Sequence, residues 1–165
     1  MSLEIVMFSD LPPVRQMEVA LQVSDYTNGR MGEQPLMLAI TSEEVFAKYS
    51  GAVALQDDVY AGYIGALMPE GWLGSTMSEM GTLVTFPEFR KQGVAHKLVD
   101  ALTKDQVSDT ITPYALCNKF SLSIFQDNGF SIEPVDVIPA SALTLCAACP
   151  SKPPEGCCDT VVVWN

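Results

Sequence analysis

The stretch "FRKQGVAHKLVDAL", residues 89–102, gathers Arg90, Lys91, Lys97 and the only histidine, His96, in a chain that is otherwise strongly acidic. With Lys104 just beyond it, four of the nine basic residues fall within 15 positions. Val94, Leu98 and Leu102 recur on one helical stripe, widened by Ala95, Val99 and Ala101, which predicts a helix from about Gly93 to Val107. The bases Arg90 and Lys91 therefore stand at its mouth. A helix start offers unpaired N–H groups and the positive end of the dipole, and so receives phosphate well. In Arg90-Lys91-Gln92-Gly93-Val94-Ala95, the missing side chain of Gly93 and the small one of Ala95 let a diphosphate approach the amides closely. The plainer alternative is an ordinary turn glycine beside a solvated helix end. No G-x-x-x-x-G-K-[ST] or G-x-G-x-x-G pattern competes for the phosphate role.

Upstream, "MSEMGTLVTF" (77–86) reads as a strand ending at Pro87, and downstream "TPYALC" (112–117) is a second strand. "NKFSLSIFQDNGF" (118–130) is then a short helix stopped by Asn128-Gly129. Towards the N-terminus, "LEIVMF" opens as a strand, Pro12-Pro13 start a helix through "VRQMEVALQV", and "SDYTNGRMGEQP" is rich in turn formers. "TSEEVFAKYSG" has a helix signature with Thr41 or Ser42 as cap and Gly51 at its end. "AVALQDDVYAGYIGALM" reads as a hairpin turning at Gln56-Asp57-Asp58. The pattern becomes irregular after "FSIEPVDVIP", and "DTVVVW" closes as a β-branched strand. Such an order does not alternate uniformly and predicts an α/β (α+β) fold, a mixed sheet flanked by helices.

A chain of 165 residues has the size of one domain, and 48% hydrophobic with 18% charged residues fits a packed core. Twenty acidic against nine basic residues give a net charge of -11, which repels phosphate backbones and anionic lipid; neither nucleic acid nor membrane is an expected partner. No apolar run approaches bilayer length and the start lacks a basic flank, so a cytoplasmic location is expected. The acidic field would also attract a cationic small molecule.

The order strand, Pro87, Arg90-x-x-Gly93-x-Ala95, helix, strand, Asn118, helix, Gly129-Phe130 resembles the GNAT superfamily of acyl-CoA-dependent N-acyltransferases. The resemblance is specific from about Glu79 to Phe130. It implies one GNAT-like domain over 1–165 with a Cys-rich insertion at about 140–159. Its sheet would be mixed but mostly antiparallel, with about six to seven strands and about four helices. "TPYALC" would splay from "MGTLVTF" to form an acyl-CoA wedge. Further implied are a diphosphate cradle of amides over Lys91, Gln92, Gly93, Val94, Ala95 and His96, entered by Arg90. The pantetheine would run along Leu83, Val84 and Thr85, near Asn118. Acetyl-CoA is then the co-substrate, and the expected reaction is direct attack by a primary amine in a ternary complex.

Acyl transfer needs a neutral amine, a donor to the developing oxyanion, and a proton for the departing thiolate. The resemblance places a main-chain N–H of Val84 at the oxyanion. Glu79 precedes Gly93 by 14 residues, where some GNAT histone acetyltransferases carry a glutamate base. Flanked by Met77 and Met80, it could have a raised pKa; the alternative is an exposed carboxylate without a role. Where many relatives have a tyrosine acid near the cofactor, this chain has Phe125. Ser121 or Ser123 would substitute, or the thiolate would leave unaided, or the chain would be an acyl-CoA-binding or protein-interaction module with little turnover. A Cys-His or Ser-His site at His96 has no visible orienting partner in the sequence. The acceptor would be read by the loop from Tyr26 to Gln34, and a homodimer stays open. Finally, Cys146, Cys149, Cys157 and Cys158 could gather around structural zinc, be redox-active, or remain unligated thiols.

Overall fold

The computed structural model of the chain describes residues 2–33, 37–67, 76–107, 111–143 and 159–165. Seven strands form one sheet: β1 (Leu3–Met7), β2 (Ser50–Gln56), β3 (Val59–Leu67), β4 (Met77–Thr85), β5 (Thr112–Cys117), β6 (Phe130–Glu133) and β7 (Thr160–Trp164). Their spatial order is β1-β2-β3-β4-β5-β7-β6, with every neighbouring pair antiparallel except the parallel pair β4 and β5. Four helices accompany them: α1 (Pro13–Thr27), α2 (Ser42–Phe46), α3 (Val94–Gln106) and α4 (Leu122–Asp127). The mixed, mostly antiparallel sheet expected from the sequence is the observed one.

Strand alternation sorts side chains onto two faces. Ala52, Ala54 and Ala66 pack with Val94, Leu98, Val99 and Leu102 of α3 and Phe125 of α4. Val53, Leu55 and Tyr63 pack on the other face with Val19, Ala20 and Val23 of α1 and Val45 of α2. The alanines matter because they let α3 lie close to the sheet, where full burial of each of its large side chains contributes about 1.5–3 kcal/mol.

The tightest point is Gly62 in β3. A Cβ there would lie 2.5 Å from the Val84 carbonyl oxygen and 3.1 Å from both Leu98 Cδ1 and Val94 Cγ1. Main chain cannot yield as a side chain would, so Gly62→Ala is expected to cost about 1–3 kcal/mol of stability, readable as a lowered midpoint in denaturant titration.

Two local readings are corrected and one element is added. Helix α1 runs on to Thr27, through "SDYT", because Thr27 Oγ1 donates to Ser24 O (3.1 Å) and accepts from Ile40 N (3.2 Å), so that these polar residues are satisfied when buried. Helix α2 stops at Phe46, and Gly51 belongs to β2, where a Cβ would meet the Tyr63 ring at 3.0 Å. "FSIE" is a strand, β6, held by register with β7. Asp57 and Asp58 turn the β2–β3 hairpin with φ of 50° and 66°. Among the described residues no helix is long and apolar enough to cross a membrane.

Candidate active site

The basic stretch folds as a bare helix entrance. After β4 the chain makes a tight turn at Pro87–Phe89, and Gly93 then caps α3 with φ +77° and no side-chain cap. Lys91 also takes a positive φ, +61°. Two left-handed residues out of three bend the main chain into a concavity of amides, the geometry that binds anions. Nothing lies within 4 Å of where a Cβ of Gly93 would stand, so the space before these amides is open.

The flanking side chains are disposed differently from one another. Arg90 Nη2 donates to Tyr26 OH (2.8 Å) and pairs with Glu33, while Nη1 donates to Glu33 Oε1 (3.3 Å), so the guanidinium faces the Tyr26–Glu33 loop. Gln92 turns away: its Nε2 donates to Glu88 O (3.0 Å), and its Oε1 accepts from Gln56 Nε2 (3.2 Å). His96 Nε2 lies 3.1 Å from Asp127 Oδ2, a partner that the sequence did not disclose and that ties the start of α3 to the end of α4.

Beside this entrance the sheet opens. The parallel pairing of β4 with β5 consists of Met77↔Thr112, Ser78↔Pro113 and Glu79↔Tyr114, and beyond Glu79 the strands separate. On the other side of β4, three steps from Gly81 to Val84 face two from Tyr63 to Gly65, a bulge in which Thr82 has φ +55°. Splay and bulge together make a cleft of about 1090 Å³. Its wall runs from Arg90, Lys91 and Gly93–His96, past Leu83, Val84 and Thr85, to Glu79 and Lys48.

Glu79 stands where the strands part. Its Oε2 accepts from Tyr114 OH at 3.4 Å. Burial pushes its carboxyl above the ordinary range, opposed by the Lys48 charge and the Tyr114 hydrogen bond. Burial likewise lowers the Lys48 ammonium, opposed by Glu79 and Glu44. Tyr114 is itself raised by burial and by Glu79, so its hydroxyl keeps its proton. Thus the cleft holds a carboxyl whose burial strengthens it as a base, with the Lys48 amine as its charged neighbour.

The far wall belongs to α4. Asn118 Oδ1 accepts from the amides of Phe120 (2.9 Å) and Ser121 (3.1 Å), so this asparagine shapes the turn into the helix while lining the cleft. Ser121 also lines the cleft, its Oγ accepting from Asn118 N (3.2 Å). Ser123 is exposed and outside the lining, because it sits on the outer side of a helix whose Ile124 and Phe125 face inward. Phe125 packs edge-on against Phe130, centroids 5.1 Å apart. Cys146, Cys149, Cys157 and Cys158, with Gln34 of the acceptor loop, lie outside the described residues. Among the described residues no group of three or more His, Cys, Asp or Glu is placed to hold a metal.

The cleft therefore brings together Glu79, Leu83, Val84, Thr85, Arg90, Lys91, Gly93, Val94, Ala95, His96, Asn118, Ser121 and Phe125, and leaves out the side chains of Gln92 and Ser123. Lys48 and Tyr114 were not foreseen. For Lys48 the only signal was Gly65, whose missing side chain leaves room for the Lys48 stem.

The profile of the Acetyltransferase (GNAT) family matches residues 19–130. No curated protein matches the sequence. Among solved structures, N-acetylglutamate synthase from Neisseria gonorrhoeae, complexed with coenzyme A and N-acetyl-glutamate, aligns with TM-score 0.67 and 13% identity over 99% of this chain. This chain spans 35% of that one, about a third of its length. A GNAT-family acetyltransferase from Staphylococcus aureus aligns with TM-score 0.61 and 14% identity, covering 99% of both chains. An acyl-CoA N-acyltransferase from Pseudomonas aeruginosa gives TM-score 0.64 and 15% identity, over 99% of this chain and 100% of the other. At such identities the likeness speaks to the fold.

Proposed function

Since the chain belongs to the GNAT acetyltransferase family, we propose that it transfers an acetyl group from acetyl-CoA to a primary amine by direct attack within a ternary complex. One observation carries this reading: a single cleft joins an uncapped helix entrance to a half-buried carboxylate through a gap between β4 and β5. Acetyl-CoA supplies the acyl group as a thioester. The amides from Lys91 to His96 would hold its diphosphate, and the bulged edge at Leu83–Thr85 and Asn118 would guide its pantetheine. Arg90, engaged by Glu33 and Tyr26, braces the acceptor loop against the phosphate loop.

The faces of the sheet give the roles an order. Met80 belongs to the core under α3, so Glu79 and Gly81 point to the opposite face, that of α1 and α2. Donor and acceptor then approach from opposite sides and meet in the wedge. Glu79 takes the proton of the incoming ammonium, directly or through water. The Val84 N–H steadies the charge on the carbonyl oxygen, and losing one such donor typically costs about 3 kcal/mol in the transition state. Of the three α4 positions considered for thiolate protonation, Phe125 has no proton to give and Ser123 is off the cleft, which leaves Ser121.

The second reading, an acyl-CoA-binding module without turnover, is favoured by Phe125. Thiol release from acetyl-CoA, followed across a panel of primary amines, separates the two. The transferase releases coenzyme A with amine-dependent, saturable kinetics, whereas a binding module stays at the hydrolytic background with every amine.

A further inference from the structure

Beside the acceptor end of the cleft lies a floor of two glycines, of which Gly81 belongs to the lining. Gly65 and Gly81 face each other in the β3–β4 register, and directly opposed residues point to the same side of a sheet. The Lys48 stem lies on this floor: its Cγ and Cδ are 3.0 and 3.2 Å from where a Gly65 Cβ would be. From the other side the Glu79 carboxylate leans over it, with Oε1 3.9 Å from a Cβ position on Gly81. Lys48 beside Gly65 and Glu79 beside Gly81 thus both line the cleft where the strands part.

These two charges do not neutralise each other by contact. Lys48 has no carboxylate within the 4.0 Å ion-pair distance among the described residues. The other acidic neighbour, Glu44, spends its Oε2 on the Thr41 amide (2.6 Å) in the cap of α2. A cation withdrawn from water without a paired anion is costly, and the cost is relieved when a ligand brings the anion. The net charge of -11 argues for a polycationic acceptor, but surface charges are screened over about 8 Å in physiological salt, whereas a half-buried one in a cleft is screened much less.

Resting on the transferase reading above, we infer that the acceptor is an amino acid: its amine faces Glu79 while its own carboxylate, one or two carbons away, pairs with Lys48. Lys48 is then the residue that sets acceptor class. The chemistry balances as in simple amide formation. The ammonium gives its first proton to Glu79, the N–C bond forms as the C–S bond breaks, and the second nitrogen proton passes through Ser121 or water to the departing sulfur, so that coenzyme A leaves as thiol.

The test compares the standard α-amino acids with their α-carboxamides, and with spermidine, as acceptors at one pH, so that changes in the ionisation of Glu79 cancel in each ratio. The wild type is expected to favour the best amino acid over its amide by about 10- to 100-fold in kcat/KM, as for a lost charge-assisted hydrogen bond. Lys48→Met should bring that ratio close to one with unchanged acetyl-CoA affinity, and Lys48→Arg should keep most of it. Equal or better use of amides or spermidine overturns the inference, as does a preference that survives in Lys48→Met. If acetyl-CoA binds and other amines are acetylated but no amino acid is, this inference alone falls. If acetyl-CoA does not bind at all, the transferase reading falls with it.

Discussion

Replacing Glu79 with glutamine is expected to lower kcat by about 10²- to 10⁴-fold, the usual contribution of a positioned general base, and to leave acetyl-CoA affinity unaltered. Glutamine keeps the shape and an oxygen that can accept from Tyr114 OH, so the strand pair at Glu79↔Tyr114 should survive. The pH profile gives an independent readout. Burial raises the Glu79 carboxyl above its ordinary range, against the smaller opposing effects of Lys48 and Tyr114. The base form therefore accumulates as pH rises through that elevated pKa, and kcat/KM of the wild type should climb on this limb. In Glu79→Gln the limb should disappear. Full activity of the variant at every pH would remove Glu79 from the mechanism.

The second large effect is expected from Gly93→Glu, which should weaken acetyl-CoA binding by at least about 100-fold in titration calorimetry. Two causes add. A residue with a Cβ at φ +77° is strained by roughly 1–2 kcal/mol, and a carboxylate would project into the open space before the α3 amides, where the diphosphate is proposed to lie. Because that space holds no protein atom within 4 Å, the variant should still fold, with a thermal midpoint lowered only by the backbone strain. Gly93→Ala separates the contributions: it retains the strain without the charge and should lose much less affinity.

Both expectations begin with residues visible in the sequence, and the reason is locality. The Arg90-x-x-Gly93-x-Ala95 pattern, the stripe of α3 and the Gly129 stop of α4 are each encoded within a few positions, and all three appear in the structure. The capping box of Thr41 and Glu44 was half legible, since Thr41 or Ser42 was expected and the reciprocal pair with Glu44 fixed Thr41. What escaped depends on register between distant segments. Tyr114 meets Glu79 only because β4 and β5 pair in parallel at that step, 35 residues apart. Lys48 reaches the cleft by laying its stem where Gly65, in a distant strand, has no Cβ. Likewise, the polar run "SDYT" reads as a loop until Ile40 closes on Thr27 and makes it the last turn of α1.

Of the expected roles, the diphosphate cradle is the one from which the others take their position: it fixes where a thioester would enter the wedge, and hence which carboxylate an amine would meet. The most direct measurement is a crystal structure of the protein grown with coenzyme A. The account predicts diphosphate oxygens within about 3.2 Å of main-chain amides between Lys91 and His96, with the pantetheine passing between β4 and β5 toward Glu79. Coenzyme A bound elsewhere, or with its sulfur on the side of the sheet away from Glu79, would contradict it.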